Sequence, residues 1–353
     1  MSTFDYGNTR LRARISRLMT REMLEELTRA TNIDGFLSLL VKSPYRTSIE
    51  RALTTTCGIQ TVQAFLADES EKILLDFQRF YADAEWEQIA LLFAFRDMQN
   101  IFTVVRGVLG SVDESEIQRL FVRSGKIPYR TLRTLSSSKN LDILLTKMVT
   151  YKIPFTEVLV KNQKTLHLLQ GAQLELLLEK AFYAGLRTEQ AALLNQNKYL
   201  REYFEMYADQ SNILCALRII KDPEILALHD MDPRECYVDF GSISFHVFKS
   251  IIQETDFEKA LTHLSGNVFH ACLQKALTEY QVSGMLTEFE ERMRKLRLKR
   301  ASQFPKEDPI GIGVPIGYLV RKVNELQNLW WIAKGIQLGF DAAEVIDHLE
   351  VMA

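Results

Sequence analysis

Only a few groups of residues in this sequence have the types and spacing that catalysis or ligand binding would require. His263, His270 and Cys272 could offer nitrogen and sulfur to a metal, but their spacing matches neither HExxH nor paired CxxC. The glycines of 308–317 resemble a nucleotide-binding loop, yet the segment lacks the Gly-Lys-Ser/Thr ending and a preceding strand. Pro315 favours a turn into a helix there. We therefore predict no catalytic, cofactor-binding or metal-binding residues.

A motif of an acid, an asparagine and a base occurs three times. In each copy the acid stands three residues before the asparagine, an aliphatic residue follows it, and the base stands six residues after it. The copies are Asp97, Asn100 and Arg106; Asp209, Asn212 and Arg218; and Glu325, Asn328 and Lys334. An aromatic residue precedes each asparagine by a similar interval: Tyr45, Tyr151 and Phe269. Because the asparagines are 112 and 116 residues apart, the motif predicts three related units.

The acid and the asparagine lie on or beside the apolar face of their helix. In the first copy, helical spacing puts Asp97 on one stripe with Phe93, Ile101 and Val104, with Asn100 beside it. A buried carboxylate or amide must find hydrogen-bond partners. Two interpretations stay open: a repeated ligand site, or an internal tie that fixes helix register. Repetition in every unit favours the tie.

Helical periodicity dominates the chain, which has only 16 glycines and 8 prolines in 353 residues. The one strand-like stretch, 237–248, is interpreted as helix because no second strand is available to pair with it. The sequence therefore predicts an all-α fold. The remaining helices are predicted at 8–28, before Pro44, 61–81, 86–108, 142–147, 172–186, 193–221, 256–280, 286–300, 314–335 and 341–351. The repeat divides the chain into helical units at 1–113, 114–228 and 229–353.

Two basic stretches are candidate partner contacts. Along a single helix over 8–28, four arginines would share one face: Arg10, Arg14, Arg17 and Arg21. The second stretch is centred on Arg294, Lys295 and Arg297. The alternative for both is a solvated helix face balanced by nearby acids.

The composition excludes several partners and locations. A net charge of −2 gives no field that would favour nucleic acid or an anionic membrane. The longest apolar run, 89–95, is far shorter than the roughly 20 residues of a membrane span. Four scattered cysteines and the lack of a signal-like apolar segment predict a cytoplasmic protein.

Three segments resemble the C subunit of the V/A-type rotary ATPases, called d in eukaryotic vacuolar enzymes. The opening Tyr-Gly-Asn-Thr-Arg-Leu-Arg-Ala of 6–13 is similar to the family's Tyr-x-x-x-Arg-x-x-Ala, and 39–45 resembles the segment after the first helices. The most specific part is 315–329, which is similar to Pro-x-x-Tyr-Leu-x-x-Lys-x-x-Glu-x-x-Asn-Leu. Trp330 stands where the family often has arginine.

The resemblance implies a non-catalytic rotor component. Three similar helical domains would form a funnel around a pseudo-threefold axis, seated on the cytoplasmic mouth of the membrane rotor ring. The funnel would receive the shaft, made of the D and F subunits, and pass torque that couples ATP hydrolysis or synthesis to proton or sodium transport. Membrane association would come only through the ring. The alternatives are a generic helical-repeat scaffold, which the long period disfavours, and an all-helical enzyme, for which no convergent group of residues is present.

Overall fold

The computed structural model of the chain describes residues 4–169, 171–224 and 232–352, and every regular element in these ranges is helical. The prediction of an all-α protein is confirmed. Besides a short 3-10 helix at Leu166–Leu168, the described elements are α1 (Asp5–Ile15), α2 (Arg21–Thr28), α3 (Ile33–Leu40), α4 (Arg46–Leu53), α5 (Ile59–Phe80), α6 (Asp83–Leu109), α7 (Glu114–Arg119), α8 (Tyr129–Ser136), α9 (Leu141–Thr150), α10 (Thr156–Lys161), α11 (Gly171–Thr188), α12 (Ala191–Gln196), α13 (Lys198–Lys221), α14 (Phe245–Ile252), α15 (Phe257–Thr262), α16 (His270–Ser283), α17 (Thr287–Glu307), α18 (Gly313–Leu338) and α19 (Ala342–Asp347).

The chain divides into two compact units. The first contains Met1–Thr103, Glu114–Thr134 and Ala301–Ala353; the second contains Val104–Asp113 and Leu135–Arg300. In the first, α1 and α5 pack on α18, and Phe77 contacts Phe93 and Tyr318 with ring centroids 5.3 and 5.8 Å apart. In the second, α13 packs on α12 and α14. The division into three units stays a prediction.

The same series of three helices, called a run below, precedes each long helix that carries the motif. An eight-residue helix (α2, α8 or α14) comes first. The next helix begins at an Asx side chain that accepts a backbone N–H, and the third begins after an aromatic residue. The Asx residues are Asn32, Asn140 and Asp256, and the aromatic residues are Tyr45, Phe155 and Phe269. Phe155 therefore occupies the place predicted for Tyr151, which instead ends α9.

The single helix predicted over 8–28 is wrong, because the chain breaks at 16–20. Thr20 caps α2 by accepting the N–H of Met23 at 3.4 Å, and the N–H of Met19 is bonded to Glu325. No glycine or proline marks this break in the sequence. Similarly, the helix predicted over 256–280 is two helices, α15 and α16.

The helix predicted over 237–248 is also wrong for its first eight residues. The segment 237–244 is irregular, and α14 begins at Phe245. Gly241 has φ +93°, which a helix cannot contain. Side chains of α13 take the backbone hydrogen bonds that a helix or strand would otherwise supply, as the next subsection describes.

Candidate functional site

Each motif asparagine holds one backbone residue by both of its polar groups. The amide Nδ2 of Asn100 donates to the carbonyl of Val122 at 2.9 Å, and its Oδ1 accepts the N–H of Val122 at 2.8 Å. Asn212 makes the same pair of bonds with Val238, at 3.0 and 2.8 Å. Asn328 does so with Glu350, at 2.6 and 3.4 Å. All three asparagines are buried. We call this arrangement the asparagine clamp.

Each motif acid accepts backbone N–H groups from the segment that leads into an eight-residue helix. Asp97 accepts from Ile127 at 2.9 Å, just before α8. Asp209 accepts from Ser242 and Ile243 at 2.9 and 3.0 Å, just before α14. Glu325 accepts from Met19, just before α2. Since Ile127, Ile243 and Met19 each stand two residues before their helix, the three contacts are equivalent.

The three acid contacts follow a regular order along the chain. The acids of the first and second copies reach the run of helices that follows them, whereas the acid of the third reaches back to the first run. The third contact spans 306 residues of sequence. Close approach of backbone to the acids requires glycine: a Cβ at Gly125 would lie 2.4 Å from Asp97 Oδ1, and one at Gly241 would lie 2.3 Å from Asp209 Oδ1.

Burial shifts the titration of the first two acids. Burial raises the pKa of Asp97 to about 6, although the backbone N–H of Ile127 acts in the opposite direction. Burial also raises the pKa of Asp209, against hydrogen bonds from Ser242, Ile243 and Asn267. These shifts follow from desolvation of carboxylates whose hydrogen bonds go to backbone and neutral side chains.

The acid of the third copy lies in a buried polar cluster. Glu325 accepts a hydrogen bond from the hydroxyl of Tyr45, and Lys322 donates to the same hydroxyl at 2.6 Å. Lys322 also lies 3.3 Å from Glu69 and 3.7 Å from Glu325. Burial and the neighbouring Glu325 raise the pKa of Tyr45 well above its usual value. The cluster joins α4, α5 and α18 within one unit.

The motif bases do not share one partner. Burial raises the pKa of Glu179 to about 7, and the charge of Arg218 acts in the opposite direction. Arg106 lies beside Gly171, at the start of α11. Lys334 donates to Gln337 at 2.9 Å and lies 5.2 Å from the ring centroid of Trp330. The motif therefore acts through its acid and asparagine, while the base contacts different groups in each copy.

The four N-terminal arginines are not on one helix face. Arg10 and Arg14 are on α1, Arg17 lies in the break, and Arg21 begins α2. Arg21 pairs with Glu25 at 2.7 Å, whereas Arg14 pairs with Asp76 on α5 at 2.6 Å. The structure thus separates Arg21 from the others.

The second basic stretch is largely paired within its own unit. Arg294 makes two hydrogen bonds of 2.7 Å to Glu291, and Lys295 lies 3.4 Å from the same residue. Arg297 donates to Gln210 and stacks on Tyr207, with its Cζ 3.6 Å from the ring centroid. These side chains are half-buried. Their role as partner contacts remains a prediction.

Several residues of this arrangement were not found from the sequence. Met19, Ile127 and Ile243 contribute only backbone N–H groups, so their residue types carry no signal. The Asx caps Asn32, Asn140 and Asp256 could have been found, because each stands at an equivalent place before a short apolar helix.

The described part of the chain is all-α, and buried asparagine clamps recur in it three times. Among the described residues, no group of three or more His, Cys, Asp or Glu could hold a metal ion. None of the described helices combines the length and apolar composition needed to cross a bilayer.

Comparison with known proteins identifies the family. The family model of the ATP synthase (C/AC39) subunit matches residues 7–348, so the chain belongs to that family and is a rotary ATPase subunit. It is similar to the C subunit of the A-type ATP synthase of Methanothermobacter thermautotrophicus, with 26% identity over 98% of this chain and 87% of the relative. The corresponding protein of Pyrococcus abyssi is 24% identical over 99% and 91%, and that of Halorubrum lacusprofundi is 23% identical over 98% and 97%.

Proposed function

We propose that this chain is a non-catalytic central-stalk component of a V/A-type rotary ATPase. It connects the shaft, made of the D and F subunits, to the membrane rotor ring and transmits the torque that couples ATP hydrolysis or synthesis to proton or sodium transport. It lies on the cytoplasmic face of the membrane and associates with the membrane through the ring. The observation that carries the proposal is the family match over 7–348.

The clamps and acid contacts support a mechanical role. An adaptor that passes torque must resist relative movement of its own segments. Two hydrogen bonds from one buried asparagine fix a segment in position and direction, and separating them would leave buried polar groups without partners. The cost is about 1–3 kcal/mol for each such group. Three clamps and three acid contacts therefore oppose local opening at three equivalent places.

The funnel of three helical units belongs to this proposal. It is supported by the three equivalent runs of helices and by the order of the acid contacts, in which the third copy reaches the first run. A cyclic arrangement of three units would require such a return. A linear array of repeats would instead leave the first run without an acid contact.

Native mass spectrometry with purified D and F subunits tests the shaft contact. We expect a complex containing one copy of each of the three proteins. The matched control is the same chain mixed with an unrelated coiled-coil pair of similar charge, which should give no complex. Binding to neither D–F nor the isolated ring by the folded chain would contradict the proposal.

A further inference from the structure

A cleft in the first unit is lined by arginines and aromatic rings, and the described residues contribute no carboxylate to its lining. It lies between α1 and α5 and has a volume of about 210 Å³. Besides Ala13, its lining consists of Arg10, Arg14, Arg17, Arg79, Tyr6 and Phe80. We call it the arginine cleft.

The charge of the arginine cleft is mostly uncompensated. Among the residues that the structure describes, Arg10, Arg17 and Arg79 form no ion pair. Arg14 pairs with Asp76 through Nη2, but its Nε is buried and has no hydrogen-bond partner. Several other arginines of this chain have a glutamate one turn away, as Arg46 has Glu50 at 2.7 Å. The three unpaired positive charges in this cleft repel each other, and a bound anion would relieve the repulsion.

The aromatic rings position two guanidinium groups and leave their N–H groups available. The Cζ of Arg10 lies 5.2 Å from the ring centroid of Tyr6, and the Cζ of Arg14 lies 5.0 Å from that of Phe80. A cation–π contact uses the face of the guanidinium and none of its five donors. The donors can therefore still bind an oxyanion.

A neighbouring cleft provides an internal comparison. It has a volume of about 250 Å³ and also contains cations, but Glu69 and Asp76 contribute to its lining. There Lys72 and Lys322 lie 2.9 and 3.3 Å from Glu69. That cleft shares Arg14 and Arg17 with the arginine cleft, and its two carboxylates offset part of the charge of its four cations. No described carboxylate lines the arginine cleft.

We propose that the arginine cleft binds a phosphate group, either of a free polyphosphate or of a lipid headgroup. Arginine binds phosphate by paired N–H donors, and several arginines together suit its multiple oxygens. The cleft is smaller than the roughly 300–1,000 Å³ of sites for drug-sized ligands. It therefore suits one or two phosphate groups better than an acidic helix, whose diameter with side chains is about 10 Å. The inference does not depend on the proposed function.

Binding is tested with the full chain and two triple variants. In the cleft variant, Arg10→Ala, Arg17→Ala and Arg79→Ala are combined. The control variant combines Arg21→Ala, Arg46→Ala and Arg201→Ala, which removes three exposed arginines that pair with glutamate outside the cleft. Both variants lose the same charge. Isothermal titration with pyrophosphate is run at constant ionic strength, and flotation is run with phosphatidylcholine vesicles with and without phosphatidic acid. Poly-glutamate is the third ligand.

The expected result is binding of pyrophosphate by the wild-type chain and the control variant, and at least tenfold weaker binding by the cleft variant. Binding only to vesicles that contain phosphatidic acid, with the same difference between variants, would assign the phosphate to a lipid headgroup. An equal loss in both variants, no binding of either phosphate source, or binding of poly-glutamate alone would overturn the proposal. Thermal unfolding checks that both variants are folded.

Discussion

Asn212 shows how one side chain can determine the path of an otherwise irregular segment. It satisfies both the N–H and the C=O of Val238 in a segment that has neither helix nor strand partners. The amide is the only neutral side-chain group that offers a donor and an acceptor at this spacing. A carboxylate of the same shape would keep the acceptor and lose the donor.

Asn212→Asp is therefore expected to lower the free energy of unfolding by about 3 kcal/mol. The carbonyl of Val238 would lose its donor and face a buried charge. Urea unfolding at pH 7 measures the change. Asn195→Asp, at an exposed position in the same unit, is the control and should change stability little. Equal effects of the two substitutions would mean that the clamp contributes nothing specific.

The raised pKa of Glu179 predicts that the stability of the fold depends on pH. Burial raises its pKa to about 7, from 4.5 for the exposed group, against the hydrogen bond from Ser211. Since the folded-state pKa is the higher one, the stabilising contribution is complete below about pH 4.5 and is lost as pH rises through about 7.

Glu179→Gln should remove this dependence. The variant should be more stable than the wild type at pH 8, and the difference should decrease toward pH 5. Thermal unfolding over this range measures it, with Glu189→Gln at an exposed position as the control. A constant difference between pH 5 and pH 8 would contradict a raised pKa at Glu179.

At the scale of elements, the helices themselves could be predicted because their apolar residues repeat with the helical period. The breaks between them could not. The break at 16–20 involves Glu325, which is far away in sequence, and its local signal is only the capping residue Thr20, without glycine or proline. The sequence predicts helix over 237–244 because it offers no second strand to pair with this segment. The side chains that hold the segment, Asp209 and Asn212, lie on another element and could not be predicted as its partners.

The motif residues could be found from spacing alone, whereas their partners could not. A repeated acid and asparagine on an apolar face require hydrogen-bond donors and acceptors, but the sequence does not say which ones. The donors are backbone N–H groups, which every residue except proline has. The arginine cleft could not be predicted because its residues are distant in sequence. Arg79 lies on α5, whereas Arg10 and Arg14 lie on α1.

Tyr45→Phe tests the contact between the third copy of the motif and the first run of helices. The hydroxyl donates to Glu325 and accepts from Lys322, so its loss leaves both charges less well paired in a buried cluster. We expect a loss of about 2–3 kcal/mol in the free energy of unfolding. Hydrogen exchange of the Met19 amide, which Glu325 binds, should become faster.

The control for this prediction is Tyr151→Phe. Tyr151 is 49% exposed, so removal of its hydroxyl should change the free energy of unfolding little. Unchanged exchange at Met19 in the Tyr45→Phe variant would mean that the hydroxyl does not hold Glu325 in place.

At the scale of the whole molecule, the clamps, the acid contacts and the family match fit a component that holds its shape under load. Packed helical interiors yield little to force, and the repeated polar contacts oppose opening where the segments between helices would otherwise be free. The described residues offer no cluster of metal ligands, and the family is that of an ATP synthase subunit. Torque transfer between shaft and ring is the function we propose for it.

The most direct test is a reconstituted rotary ATPase assembled in vesicles with and without this chain. ATP hydrolysis and ion transport are measured on the same preparations, and the chain is added back as the control. We predict that hydrolysis by the catalytic head continues without the chain, while ATP-driven ion transport is lost and returns on its addition. Ion transport that persists without the chain would contradict the proposed role in torque transfer.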